Sequence, residues 1–157
     1  MHLTLAESVS LAKAIRDGSA GSPSEVALFV PFTALAVVAE ALKGSTVRLG
    51  GQNLHWEKSG AFTGEISSGQ LKDAGCGMAL LGHSERRRLF GETDEALAKK
   101  LKTALAEGLV PVLCVGETLE EREGNRTYRV LETQLKGALA GFGAGELSTL
   151  VIAYEPV

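Results

Sequence analysis

The chain has 157 residues, of which 45% are hydrophobic and 22% charged, a composition that suits a single globular domain over residues 1–157. A formal net charge of −3 and a pI near 5.7 give no concentrated basic face, so neither nucleic acid nor an anionic membrane is an expected partner. The one basic run, Arg86-Arg87-Arg88, suits a solvated or salt-bridged helix surface. Met1 to Glu7 lacks a basic region followed by an apolar stretch, and no apolar run approaches spanning length. The cytoplasm is therefore the expected compartment.

Thr4-Leu5-Ala6-Glu7 has the capping-box pattern and opens a helix in which Leu5, Val9, Ala12 and Ile15 recur at helical spacing, with Gly18 at its end. A loop of small residues and proline runs from Gly18 to Ser24. Glu25–Val30 then reads as a buried strand closed by Pro31. Ala34–Lys43 follows as a helix with Leu35, Val38 and Leu42 on one face. The same order recurs three times. Strand Val47–Leu54 leads through a loop, His55–Glu65, to helix Ser67–Ala74. Strand Met78–Leu81 leads to helix Asp94–Glu107, with Leu97, Leu101, Ala104 and Leu105 on its apolar side. Strand Val110–Val115 leads to a capping box at Thr118-Leu119-Glu120-Glu121 and one long helix to about Ala140. Leu150–Tyr154 is a last strand.

A helix, four βα units and a strand imply an α/β fold: a parallel sheet with right-handed crossovers. The strands are near-continuous apolar runs, as expected where helices cover a parallel sheet. Periodicity alone leaves open a doubly wound sheet or part of a barrel. No glycine-rich phosphate loop follows any strand, which argues against the commonest open-sheet functions. Cys76 and Cys114 have no ligand spacing with each other or with His2, His55 and His83, so neither a metal nor a cofactor is expected. Cys114 lies in an apolar run and reads as a buried free thiol.

In βα folds the reactive groups gather just past the carboxyl ends of the strands. His83 follows the strand Met78–Leu81 and stands where a helical turn begins. The positive end of a helix disfavours an added proton nearby, so a neutral imidazole could donate a hydrogen bond to a substrate carbonyl. The same position also suits a histidine satisfied by backbone groups at a turn. Glu155 follows the last strand, and Pro156 holds it extended, where its carboxylate could act as a general base or be an ordinary strand-terminal acid. Together the pair suggests removal of a proton α to a carbonyl, without a cofactor.

Five ordered motifs carry a resemblance. Gly51-Gln52-Asn53-Leu54-His55-Trp56-Glu57, Ser59 to Glu65, Gly82 to Arg87 (GHSERR) with Phe90 to Glu95 (FGETDE), Leu113 to Thr118 (LCVGET) and Ala153 to Val157 (AYEPV) resemble segments of the triosephosphate isomerase family. The resemblance implies a homodimeric TIM (β/α)8 barrel, here partial, with the second to sixth strands and the first to fifth helices. It also implies interconversion of dihydroxyacetone phosphate and glyceraldehyde 3-phosphate, in glycolysis and gluconeogenesis, with His83 as electrophile and Glu155 as base. This is a pairing already familiar for the family. By the same resemblance Ser84 contacts the base in the resting enzyme, Glu85 supports the site, and Phe62, Thr63, Gly64 and Glu65 form a dimer loop. A first strand ending in Asn-x-Lys, a lid and two later phosphate-binding strands belong to the family and not to these residues. Met1 stands where the family commonly has an internal methionine. Five strands do not close an eight-stranded barrel, so the chain alone is expected to have little or no isomerase activity. A non-catalytic partial barrel that associates through its open sheet edges is the alternative.

Overall fold

The computed structural model describes residues 2–156; expectations that rest on Met1 and Val157 lie outside the described residues. The elements in chain order are α1 (Leu5–Gly18), β1 (Ala27–Val30), α2 (Leu35–Ala41), β2 (Arg48–Gly51), α3 (Ser68–Asp73), β3 (Met78–Leu81), α4 (Ser84–Phe90), α5 (Asp94–Ala106), β4 (Val110–Val115), α6 (Leu119–Glu123), α7 (Thr127–Ala138) and β5 (Val151–Tyr154). Single 3-10 turns occupy Phe32–Ala34 and Ala144–Leu147.

The five strands are parallel and stand side by side in chain order, β1-β2-β3-β4-β5. That order decides between the two architectures left open by periodicity. A doubly wound sheet reverses direction at a switch point, whereas strands added successively on one side keep winding one way and curl toward a barrel. The fold is a partial (β/α)8 barrel. Its interior strands are the buried ones: β4 is buried from Pro111 to Val115, while Val151, Ile152 and Tyr154 on β5 are 43%, 44% and 49% exposed. The core lies between sheet and helices. Leu35 and Val38 of α2, Leu71 of α3, and Leu97, Leu101 and Ala104 of α5 pack there against Leu49, Ala79, Leu81 and Leu113 of the strands.

Both expected capping boxes form, at Thr4 and Thr118, and the structure adds a third at Ser67. In each, the hydroxyl of Thr4, Ser67 or Thr118 accepts from the amide three residues on, and that residue's side chain returns a bond. Three expectations need correction. The long helix from Thr118 is two helices, α6 and α7. Asn125 takes a left-handed conformation (φ 53°), and the Arg126 amide bonds back to the Glu121 carbonyl, which ends α6 and reorients the chain. The second strand stops at Gly51 instead of Leu54. The Gln52 side chain bonds to the Phe29 carbonyl at 3.1 Å and the His55 amide to the Ile66 carbonyl, which draws the chain off the sheet. A seven-residue helix, α4, fills the stretch after His83, where a single turn is expected; Gly91, left-handed at φ 63°, closes it.

Both cysteines are buried free thiols. Burial pushes each thiol from 9.0 up to about 11, and at Cys114 the nearby Glu155 adds to the effect. Two units in a thiol pKa remove roughly 99% of the thiolate near neutral pH, and the thiolate is the nucleophile. Native protein at pH 8 is therefore expected to react with iodoacetamide about a hundredfold more slowly than free cysteine, and unfolding should abolish the difference. Alkylation of native protein at the free-cysteine rate would contradict this environment.

Candidate active site

The carboxyl ends of β3, β4 and β5 lie side by side and bring His83 and Glu155 together. His83 is the N-cap of α4 (φ −53°, ψ 141°), and its Nδ1 accepts the Glu85 backbone amide at 3.3 Å. A neutral imidazole that accepts at Nδ1 carries its proton on Nε2. His83 Nε2 stands 3.7 Å from Glu155 Oε2. The backbone amide of Glu155 donates to the Val115 carbonyl at 2.9 Å, which ties the acid to the end of β4. The His83 side chain is 31% exposed and the Glu155 side chain 70% exposed, so the pair faces open solvent on one side.

Ser84 and Glu155 line one cavity of about 320 Å³, together with Gly116, Cys114, Arg88 and Gln134. Glu85 stands in the first turn of α4, exposed, with Oε2 3.8 Å from His83 Nδ1. Phe62, Thr63 and Glu65 line a different cavity, together with His55 and Gln70. The Phe62 ring packs on buried His55 with centroids 4.2 Å apart, Thr63 and Gly64 form an exposed turn, and the Glu65 amide returns to the Phe62 carbonyl at 3.0 Å.

The residues that support the pair are mostly ones that sequence reasoning passes over. Gly82, directly before His83, is left-handed (φ 75°) and held at both polar groups. Its amide donates to Glu92 Oε2 at 3.2 Å, and its carbonyl accepts from Arg87 Nε at 2.8 Å. Glu92 is buried and paired with Lys100 Nζ and with Arg86 Nε, while Lys100 also donates to Asn53 Oδ1 at 2.7 Å. Arg87 continues to Asp94 Oδ1 at 2.6 Å. A charged cluster rooted in α4 and α5 thus fixes the peptide that carries His83. Lys100 gives one signal of this role: it falls between Leu97 and Leu101 on the buried stripe of α5.

A second buried acid, Glu117, sits past the end of β4. Its Oε1 accepts from Arg122 at 2.9 Å, the Tyr154 hydroxyl at 3.0 Å and Thr127 at 3.1 Å, and joins β5 to α6 and α7. Burial pushes its carboxyl up; bonds from its own backbone amide, Tyr154, Thr127 and Arg122 outweigh burial and hold it below the ordinary glutamate value of 4.5. An acid depressed in the folded state adds stability above its unfolded pKa and loses it as pH falls through the lower native value. The urea midpoint of the protein should therefore drop below pH 4.5, and Glu117→Gln should flatten that drop. Parallel curves for the two proteins would contradict the assignment.

No helix among the described residues is long and apolar enough to cross a membrane. Comparison with known proteins gives one consistent result. The triosephosphate isomerase family profile matches residues 1–157. A triosephosphate isomerase of Pelobacter propionicus is 50% identical over 158 residues, covering 100% of this chain and 63% of that protein, and one of Rhodopirellula baltica is 51% identical over 62% of its length. The crystal structure of triosephosphate isomerase from Bartonella henselae superposes with a TM-score of 0.90 at 40% identity, over 100% of this chain and 65% of that one. The chain thus spans about 63% of the length of the curated relatives it matches. By profile, sequence and fold, the chain belongs to the triosephosphate isomerase family.

Proposed function

We propose that His83 and Glu155 are the electrophile and base of a triose phosphate isomerisation. Glu155 removes a proton from the carbon next to the carbonyl of dihydroxyacetone phosphate, and the C–H electron pair moves into the carbonyl. The resulting enediolate oxygen accepts a hydrogen bond from His83 Nε2–H. A proton passes from the C1 hydroxyl to the C2 oxygen by way of the His83 imidazole, and the carboxylic acid returns its proton to C2; the C1 oxygen becomes the aldehyde carbonyl of glyceraldehyde 3-phosphate and the carboxylate is restored. The observation that carries this reading is the hydrogen bond at Nδ1: the Glu85 amide occupies that nitrogen, which leaves Nε2, the nitrogen beside the Glu155 carboxylate, as the donor of a neutral imidazole. Donors preplaced at developing negative charge stabilise the transition state, and a positioned base contributes about a hundred- to ten-thousandfold.

Ser84, a lining residue of the same cavity as Glu155, is the resting partner of the base, and Glu85 holds the imidazole from the first helical turn. The Phe62 to Glu65 turn is the dimer loop of a homodimer; the exposed Phe62 ring, held on His55, gives it a firm base. The cytoplasm is the proposed compartment.

The 157-residue polypeptide assayed alone should turn over little or no substrate. Glu155 is largely exposed just past the end of β5, which pairs with β4 alone among the described residues, so water competes for the charges that the reaction uses. A coupled isomerase assay on this polypeptide, with Glu155→Ala as control, tests the point. Turnover that the substitution abolishes would overturn the expected inactivity and support the residue roles. A second reading is a non-catalytic partial barrel that associates through its edges, favoured by the exposed Val151, Ile152 and Tyr154. Sedimentation equilibrium at micromolar concentration distinguishes it: association without turnover supports this reading, and a monomer contradicts it.

A further inference from the structure

The two ends of the site are built alike. Each proposed reacting residue leans on a strand-end glycine whose own amide and carbonyl are both taken by side chains. At Gly82 the partners are Glu92 and Arg87. At Gly116 one side chain does both: the amide donates to Gln134 Oε1 at 3.0 Å, and Gln134 Nε2 donates to the carbonyl at 3.0 Å. A carboxamide presents one donor and one acceptor side by side, as a neighbouring peptide would, so Gln134 of α7 acts as a one-residue strand neighbour where β4 ends. The main chain of Glu155 rests on that same glycine. A Cβ on Gly116 would stand 1.8 Å from the Glu155 carbonyl oxygen, and the amide of Glu155 bonds to the preceding residue, Val115.

We propose that Gln134 is a positioning residue for Glu155, which acts by fixing the Gly116 peptide against which the main chain of the acid is packed. This deepens the reading of Glu155 as the base and rests on it. Gln134 reaches the site from the inner face of α7, three residues after Leu131 and four before the buried Ala138, so the helix that covers the sheet also sets the acid.

The test needs no turnover, so an inactive polypeptide leaves it intact and the failure of the two readings can be told apart. Backbone 15N order parameters are measured for the full chain and for Gln134→Met, which keeps the length and loses both bonds. Gln134→Glu, which keeps the acceptor and loses the donor, is the second variant. The expected result is that Glu155 falls from about 0.85 to below about 0.6 in Gln134→Met and by less in Gln134→Glu, while Leu101 and Leu113 stay near 0.85 in both. A Glu155 amide that is already mobile in the unaltered chain, or unmoved in both variants, would overturn the proposal. So would a loss of order shared evenly by Leu101 and Leu113, because that would mark Gln134 as a general packing residue.

Discussion

Lys100→Met lowers the stability of the protein by about 3–5 kcal/mol, the range found when one partner of a buried ion pair is removed. The effect is large because the ammonium is shared. Lys100 is 4% exposed; it contacts the Glu92 carboxylate and donates to Asn53 Oδ1. Methionine fills much of the volume but leaves the Glu92 charge with only Arg86 and the Gly82 amide, and the Asn53 oxygen without its donor. The consequence reaches the site because Glu92 also holds the peptide before His83. Urea unfolding at pH 7 measures the loss, and the 13C shifts of the His83 ring should move with it. A midpoint within error of the unaltered protein would mean that the cluster does not hold the β3 end.

Gly116→Ala is the second large effect. The clash is with backbone, 1.8 Å to the Glu155 carbonyl oxygen and 2.7 Å to its carbonyl carbon, so no rotamer change relieves it. Either β5 leaves the end of β4 or the Gly116 peptide leaves Gln134. Overpacking typically costs about 1–3 kcal/mol, and here the moving atoms are those that carry the proposed base. The expected result is a loss in that range, together with loss of the Glu155-to-Val115 hydrogen bond, seen as a shifted and broadened Glu155 amide resonance. Native stability with an unshifted Glu155 amide would contradict the close packing.

The parts of the fold that depend on local pattern were readable from sequence. Leu35 and Val38 mark the buried face of α2, Leu42 stands just past its end, and all three are in the core; the capping boxes at Thr4 and Thr118 start their helices where the hydroxyl and carboxylate stand. What was not readable depends on contacts between distant residues. The break at Asn125 uses a residue that tolerates a left-handed backbone, but nothing local compels it within a run that otherwise continues as helix. The end of β2 is set by the Gln52 side chain turning to Phe29, 23 residues earlier in the chain. The sequence also brought His83 and Glu155 into view, because strand ends and their following residues can be read in order; their supports could not be. Lys100 and Asn53 are 47 residues apart, and Gln134 and Gly116 are 18 apart; only the fold makes them neighbours. Lys100 and Gln134 share one trace in the sequence: each is a polar residue on the otherwise apolar stripe of its helix.

The most direct test of the roles given to His83 and Glu155 uses a chimaera in which residues 1–157 replace the matching 158-residue stretch of the Pelobacter propionicus relative. Turnover of glyceraldehyde 3-phosphate is then measured for the chimaera and for its Glu155→Ala and His83→Ala forms. The account predicts an active chimaera whose kcat falls roughly a hundred- to ten-thousandfold in each variant, the range for loss of a positioned acid or base. An active chimaera that keeps its rate without the Glu155 carboxylate or the His83 imidazole would contradict it.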